Sequence, residues 1–346
     1  MKATRSFRAS CIAPVVLIAL LAATTGCKRS NGIDNNTVIR TPYFLYLADR
    51  NGILTNTNDG RTFRLIFPAD GFGPRALLVT GANVMMVKNN LFLSKDNGLN
   101  FNFATTAQPT PEALYQSILI EAPSHNNRSY LASAAGNGVQ YSEDRGQTWQ
   151  SDDANWDTSI TNHYLPRVHT LTQLKSGEVF AWNNKDSALY KKINTGDDWD
   201  SVVYNGLPTN RNHYFLARYN NTLLLVDSTG ENGVRFSTNQ GTNWSSYPGL
   251  PPMQQLYAAY APFDNGLLVG TDSNGVYRLE NGQFIPSNGG LDLYTTVYSI
   301  IAKTDTYKND RVFNYVYIAT NTGCYRSEDG GVNWEKLAEG DFFRVY

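Results

Sequence analysis

Five acidic residues in the polar segments of the sequence could act as the carboxylates of a hydrolase. Two carboxyl groups that flank a glycosidic bond can hydrolyse it, one as an acid and the other as a nucleophile or base. The candidates are Glu112, Asp152, Asp153, Asp157 and Asp292. Their spacing does not select a pair, and the sequence carries no nucleophile elbow, phosphate-binding loop, zinc spacing or dinucleotide fingerprint. We therefore assign no catalytic residue, metal site or cofactor.

Aromatic and basic side chains concentrate in two long segments that could bind a ligand. Residues 152–167 and 205–214 contain Trp156, His163, Tyr164, Arg167, Arg211, His213 and Tyr214. A tyrosine also recurs at or near the start of several apolar segments, as Tyr115, Tyr164, Tyr214, Tyr257 and Tyr294. We predict that these residues form a ligand-binding face on exposed loops, able to stack on a sugar or to anchor a protein partner. The alternative is that the tyrosines recur because they pack between repeated units.

The composition excludes some partners and favours strands. The 29 basic and 30 acidic residues leave a formal net charge of −1, so the chain lacks the basic surface that nucleic-acid binding requires. Its 41% hydrophobic and 12% aromatic residues can form a large core. The 28 glycines and 21 tyrosines favour strands joined by tight turns. Separately, we expect the folded chain to be a monomer.

The first 41 residues have the pattern of an export signal followed by a tether. Basic residues precede a short apolar stretch, Ile12–Ala23, which is well below the roughly 20 residues that span a bilayer. Residues 1–26, followed by Cys27, resemble a bacterial lipoprotein signal, and the resemblance implies that Cys27 is lipidated. Residues 27–41 then form a polar tether, and the protein is anchored at the cell envelope, on the periplasmic or the surface side of the outer membrane. The alternative is an ordinary secreted protein in which Cys27 has no role.

A short motif repeats seven times along the rest of the chain. Its clearest copies are Ser142–Trp149 and Ser327–Trp334, each with the pattern Ser-x-Asp-x-Gly-x-Thr/Asn-Trp. The copies start at positions 56, 94, 142, 192, 237, 279 and 327, and this spacing is typical of propeller blades. The acidic or amide residue of the motif is present in six copies, as Asn58, Asp96, Asp144, Asn194, Asn239 and Asp329.

The motif itself is suited to a tight hairpin. The Asp or Asn oxygen can accept backbone N–H groups of the turn, the Gly can adopt a positive φ, and the aromatic residue can bury under the turn. The motif resembles the Asp-box, or BNR, repeat. Strand patterns around each copy then predict an all-β fold over residues 42–346, a single seven-bladed β-propeller of four-stranded antiparallel blades.

The first repeat lacks a clear innermost strand. We predict that Asp341–Tyr346 supplies this strand and closes the ring, with residues 37–40 as the competing candidate.

Asp-box propellers include both enzymes and binding proteins. Sialidases and xyloglucanases carry such repeats, but the Arg-Ile-Pro signature of sialidases and the second propeller of xyloglucanases are missing here. The layout is more similar to that of the photosystem-assembly propellers, which are non-catalytic, although their Gly-Trp-aliphatic-Val-Gly strand is also missing. The resemblance implies a non-enzymatic module that binds a protein or glycan, with a glycoside hydrolase as the alternative.

Overall fold

The computed structural model describes most of the repeated region. The described residues are 44–56, 63–68, 74, 76–88, 90–103, 117–133, 139–152, 156, 168, 170–183, 186–207, 213–252, 254–260, 266–306 and 312–346. They contain strands and turns, and none of them lies in a helix long and apolar enough to cross a membrane. The propeller is one compact unit that comprises residues 43–304 and 314–346, and the following description concerns that unit.

The strands form seven four-stranded antiparallel sheets, one for each repeat, arranged as the blades of a ring. Blade 1 contains β1 (Leu45–Asp49), β2 (Gly52–Asn56), β3 (Arg64–Pro68) and the last strand, β28 (Arg344–Val345). Blade 2 contains β4 (Ala76–Thr80), β5 (Asn83–Val87), β6 (Leu91–Ser94) and β7 (Asn102–Phe103). Blade 3 contains β8 (Ser117–Ala122), β9 (Arg128–Ser133), β10 (Val139–Ser142) and β11 (Gln150–Ser151). Blade 4 contains β12 (Thr170–Gln173), β13 (Val179–Asn183), β14 (Ala188–Lys192) and β15 (Asp200–Ser201).

The remaining three blades follow the same order. Blade 5 contains β16 (Tyr214–Tyr219), β17 (Thr222–Asp227), β18 (Val234–Ser237) and β19 (Ser245–Ser246). Blade 6 contains β20 (Leu256–Tyr260), β21 (Leu268–Thr271), β22 (Val276–Glu280) and β23 (Gln283–Pro286). Blade 7 contains β24 (Val297–Thr306), β25 (Val312–Thr320), β26 (Gly323–Ser327) and β27 (Glu335–Glu339). The predicted all-β, seven-bladed architecture is therefore confirmed.

The hydrophobic core lies between neighbouring blades. Met85 and Leu91 of blade 2 pack with Leu131 and Trp149 of blade 3, and equivalent clusters join the following blades. Strand side chains alternate between the two faces of each sheet, so a blade that is covered on both faces has apolar residues at consecutive positions. β13 and β17 show this pattern, because nearly all of their residues are buried.

The C-terminal segment closes the ring, as the sequence predicted. β28 pairs with β1, with Val345 opposite Leu47, and gives blade 1 the inner-to-outer order β28–β1–β2–β3. Tyr46 and Tyr346 exchange two backbone hydrogen bonds of 2.9 and 3.1 Å. The competing candidate, residues 37–40, lies outside the described residues.

Candidate binding face

The Asp-box turns fold as the sequence indicated, and Asp144 shows the geometry in blade 3. The Ser142 hydroxyl donates to Asp144 Oδ1 at 2.8 Å and accepts the Gly146 N–H at 2.7 Å. Asp144 also accepts the backbone N–H and the hydroxyl of Thr148, at 2.8 and 2.6 Å. Burial opposes ionisation of Asp144, but the hydrogen bonds from Thr148 and Ser142 outweigh it and lower the pKa of the carboxyl. The side chains of Ser142, Asp144 and Thr148 are thus engaged within the turn.

The other turns keep this arrangement or replace it. Asp96, Asn239 and Asp329 each accept a serine hydroxyl and a backbone N–H four residues further on. In blade 4, Asn194 instead donates its backbone and side-chain N–H groups to Asp197. In blade 6 a two-residue turn, Asn281-Gly282, joins β22 to β23, and both residues have positive φ. The remaining predicted box residue, Asn58, lies outside the described residues.

A buried polar cluster lies between blades 3 and 4, where the sequence suggested an open loop. Asp152 accepts the Lys192 ammonium at 3.1 Å and the Trp199 indole N–H at 2.8 Å. Trp156 stacks on Trp199 with ring centroids 4.5 Å apart, and 8% of Trp156 is exposed. Asp152 and Trp156 therefore hold two blades together, whereas the sequence suggested a free acid and an exposed aromatic. The loop assignment failed at Trp156 because this residue forms a parallel bridge with Trp199 of blade 4.

The predicted tyrosines occupy three different environments. Tyr214 is buried against Trp182, so it packs between blades as the alternative reading held. Tyr257 is partly exposed near the start of β20, and Tyr294 is exposed on the loop between blades 6 and 7. His213 is also exposed, beside Tyr214. The other predicted residues of this face, Tyr115, His163, Tyr164, Arg167 and Arg211, lie outside the described residues, as do Cys27 and the acids Glu112, Asp153 and Asp157.

One end of the blades collects the turns between second and third strands and the starts of the inner strands. Backbone hydrogen bonds join these segments from blade to blade: Leu256 to Ser228, Gly275 to Thr295 and Phe342 to Thr320, with lengths of 2.8–3.0 Å. We call this end the mouth face. The Asp-box turns join third to fourth strands and therefore lie at the opposite end of the blades.

A pair of tyrosines lies at the mouth face, on adjacent inner strands. Tyr257 of β20 and Tyr298 of β24 have ring centroids 5.5 Å apart with a 54° tilt, and the Tyr257 hydroxyl donates to Gln255 at 2.7 Å. Burial raises the pKa of Tyr298, and the nearby carboxylates of Asp341 and Asp272 raise it further. The sequence analysis missed Tyr298, although it stands at the second position of its inner strand, as Tyr257 does.

Charged side chains border this tyrosine pair. Arg50 and Asp341 form an exposed ion pair at 3.8 Å, and Arg344 donates to the Tyr298 carbonyl at 3.1 Å. Asp272 accepts the Thr296 hydroxyl at 3.0 Å. Aromatic rings beside a few directed polar groups suit recognition of a ligand. Among the described residues, no group of three or more His, Cys, Asp or Glu side chains is placed to hold a metal ion.

Asp292, another candidate acid, is engaged in holding the loop between blades 6 and 7. Its carboxylate accepts the Tyr325 hydroxyl at 2.8 Å and the Lys336 ammonium. The hydrogen bond from Lys336, followed by that from Tyr325, lowers the pKa of Asp292. A general acid needs the opposite shift, so this position suits a structural anchor.

The fold and its turns define a seven-bladed β-propeller of the Asp-box type. A model of the BNR/Asp-box repeat matches residues 140–151, and no curated protein matches the chain by sequence.

Solved structures of several different proteins have this fold. YCF48 bound to a D1 peptide is 13% identical, with a TM-score of 0.51 over 81% of this chain and 95% of that one. Virginiamycin B lyase from Staphylococcus aureus is 12% identical, with a TM-score of 0.56 over 85% and 88% of the two chains. An ancestral GH74 enzyme is 15% identical, with a TM-score of 0.53. The match covers 77% of this chain and 38% of the enzyme. The TM-scores show a shared fold, and identities this low carry no information about the ligand.

Proposed function

We propose that this propeller is a non-enzymatic module that binds a protein or glycan partner through its mouth face. The observation that carries the proposal is the Tyr257–Tyr298 pair. It lies beside directed polar groups at the mouth face, on the inner strands of blades 6 and 7. Rigid aromatic side chains contribute large contact area at low entropic cost, and they are enriched in binding surfaces.

The described candidate acids support binding over hydrolysis. Asp152 is committed to Lys192 and Trp199, and Asp292 to Tyr325 and Lys336. A glycosidase keeps one carboxyl protonated near neutral pH to donate to the leaving group, whereas the pKa of Asp292 is lowered. The structure of YCF48 bound to a D1 peptide is a precedent for a propeller of this size that binds a protein segment.

Arrays of glycans and peptides test the proposal directly. The purified chain should bind a member of one array, and the double variant Tyr257→Ala, Tyr298→Ala should weaken that binding by about tenfold or more. Phe103→Ala is the matched control, because Phe103 is an exposed aromatic residue on the outer edge strand of blade 2. Release of sugar from sialosides or β-glucans, abolished by neutralising a single carboxylate, would replace this proposal with a glycoside hydrolase.

We also propose that the module is exported and anchored to a bacterial envelope by lipid on Cys27. The basic start, the short apolar stretch and the following cysteine support this proposal. Cells producing the full chain should incorporate labelled palmitate into it, and Cys27→Ser should prevent incorporation. Equal labelling of the variant would contradict the anchor.

A further inference from the structure

Two large apolar side chains project from the loop between blades 6 and 7. Leu293 is 86% exposed and the adjacent Tyr294 is 78% exposed. Single exposed hydrophobic residues are ordinary on a protein surface. Two adjacent ones at a loop tip form a small apolar patch, which only a binding partner can shield from water. We call these two residues the Leu-Tyr tip.

The backbone on both sides of the tip is held in place. The Asp292 carbonyl accepts the Thr295 hydroxyl at 2.7 Å, and its carboxylate is bound by Tyr325 and Lys336. On the other side, Thr296 N–H donates to Asn321 at 2.8 Å. Thr295 and Thr296 are buried. Because the residues on both sides of the tip are held in place, the loop is ordered before a partner binds. Binding therefore avoids the entropic cost of ordering it.

Tyr294 also has a backbone conformation that a tyrosine rarely adopts. Its φ is +59°, in the left-handed region that favours glycine, asparagine and aspartate. Such residues persist where the surrounding structure imposes them, and they concentrate at binding and catalytic sites. The Tyr294 ring is exposed to solvent, so the unusual backbone conformation does not serve to pack it into the hydrophobic core.

The charges joined to the loop are mainly negative. Asp292 and Glu339 share one cation, Lys336, and Asp272 binds Thr296 at the end of the loop. These four described side chains sum to −2 at neutral pH, and the Arg50–Asp341 pair and Arg344, which border Tyr298, bring the sum to −1. Long-range electrostatics would therefore favour a positively charged partner surface and disfavour an anionic membrane.

We propose that the Leu-Tyr tip is an anchor that inserts into an apolar pocket of a protein partner, with basic side chains around that pocket. This inference rests on the proposed binding function and names the partner as a protein. A leucine side chain offers a sugar neither a hydrogen bond nor a flat stacking surface, whereas an apolar protein pocket buries it favourably. The tyrosine adds a hydroxyl that can bond at the pocket rim.

The experiment places a photo-crosslinking residue, p-benzoylphenylalanine, at position 294 of the full chain in the cells that produce it. The same residue at position 99 is the control, because Leu99 is exposed on an Asp-box turn at the opposite end of blade 2. A protein joined at 294 and not at 99 is then purified. Its Kd is measured for the parent, Leu293→Asp, Tyr294→Asn and Leu99→Asp.

We expect Leu293→Asp and Tyr294→Asn each to weaken binding by about tenfold or more, and Leu99→Asp to leave it unchanged. Asparagine adopts the left-handed region more readily than tyrosine, so Tyr294→Asn should melt at the parent temperature or above. This variant therefore separates loss of the ring from loss of the fold. Added salt should weaken the parent complex.

Three results would overturn the anchor: equal affinity of Leu293→Asp and the parent, adducts formed only with a second copy or with lipid, or no adduct at 294 beyond that at 99. The same photo-crosslinking residue at position 257 distinguishes failure of the anchor from failure of the proposed binding function. A protein captured there that binds Leu293→Asp normally would leave the binding function intact. Sugar release without capture at either position would remove both.

Discussion

At the scale of single residues, Lys192 shows how a repeated turn can be rebuilt. It stands where four other boxes have serine, and 1% of it is exposed. Its ammonium donates to Asp152 and to the Asp197 carbonyl, the latter at 2.8 Å, and it lies 5.7 Å from the centre of the Trp199 ring. The serine turn is thus replaced by a buried ion pair that links blade 4 to blade 3.

Removing one partner of this pair should be strongly destabilising. Asp152→Ala leaves the lysine charge buried without its counterion and the Trp199 indole without an acceptor, at a cost of about 3–5 kcal/mol in the free energy of unfolding. The double variant Asp152→Asn, Lys192→Met removes both charges and keeps an acceptor, so it should be less destabilised. Urea denaturation measures both variants. A cost for Asp152→Ala no larger than that of Glu231→Ala, at an exposed site on a surface turn, would contradict this role.

His125 makes the same interface sensitive to acid. Its ring is buried and bonded to the Tyr130 hydroxyl and the Ile193 carbonyl, both at 2.9 Å. Burial lowers the pKa of His125; the bond to Ile193 opposes this shift, and the charges of Lys192 and Arg128 add to it.

Stability should therefore fall as the pH drops below about 6.5, the ordinary histidine pKa, because the unfolded chain then binds a proton that the folded chain resists. Above that pH the contribution is complete. Thermal melts between pH 7.5 and 5.5 measure this slope, and His125→Gln should flatten it. An unchanged slope in the variant would assign the acid sensitivity to other groups.

At the scale of elements, the Asp-box turn depends on an acceptor and does not require a charge. In blade 5, Asn239 accepts the Ser237 hydroxyl and the Asn243 N–H, both at 2.9 Å, as Asp144 does for its own turn. Asp144→Ala should therefore cost about 1–3 kcal/mol, since it leaves turn donors unpaired. Asp144→Asn keeps one acceptor oxygen and should cost less. Chemical denaturation ranks the two, and equal losses would show that the negative charge is what matters.

In blades 2, 3, 5 and 7 the glycine of this turn also lies close to a side chain of the preceding blade, which the motif does not reveal. Gly146 has φ +86°, which explains the glycine, but a methyl group there would also lie 2.4 Å from the Met85 sulfur of blade 2. In the same way, a methyl group on Gly331 would lie 2.7 Å from Leu268 of blade 6. The glycine therefore serves both the turn and the interface between blades.

At the scale of the whole molecule, closure depends on the strand that the last residues provide. Deleting Asp341–Tyr346 removes β28, exposes the edge of β1 and uncovers the buried Val345 site. The melting temperature should fall markedly, and the truncated chain should self-associate through the open edge. Arg344→Ala is the control, because it removes the side-chain hydrogen bond to the Tyr298 carbonyl and keeps the pairing of β28 with β1. A truncated chain that melts like the parent and stays monomeric would contradict this prediction.

Sequence periodicity was sufficient to predict the fold but insufficient to locate the binding face. Box spacing and turn chemistry are local properties, so seven repeats were enough to predict seven four-stranded blades. Whether an aromatic side chain faces solvent depends on packing against the next blade. Trp156 is covered by Trp199 and Tyr214 by Trp182, whereas Tyr298 meets Tyr257 across two inner strands. These contacts join residues of different repeats, and a single sequence does not specify them.

The pairing of β28 with β1 also sets the order in which the protein can be completed. Blades 2 to 7 are each made from one continuous stretch of chain, and each can assemble soon after its fourth strand is synthesised. Blade 1 is begun first and finished last, because Leu47 waits for Val345 from the far end of the propeller sequence. Until then its three strands keep an unpaired edge, through synthesis and any export, and such edges invite aggregation. The slow step of folding should therefore be the joining of these two ends, a contact of very long sequence separation.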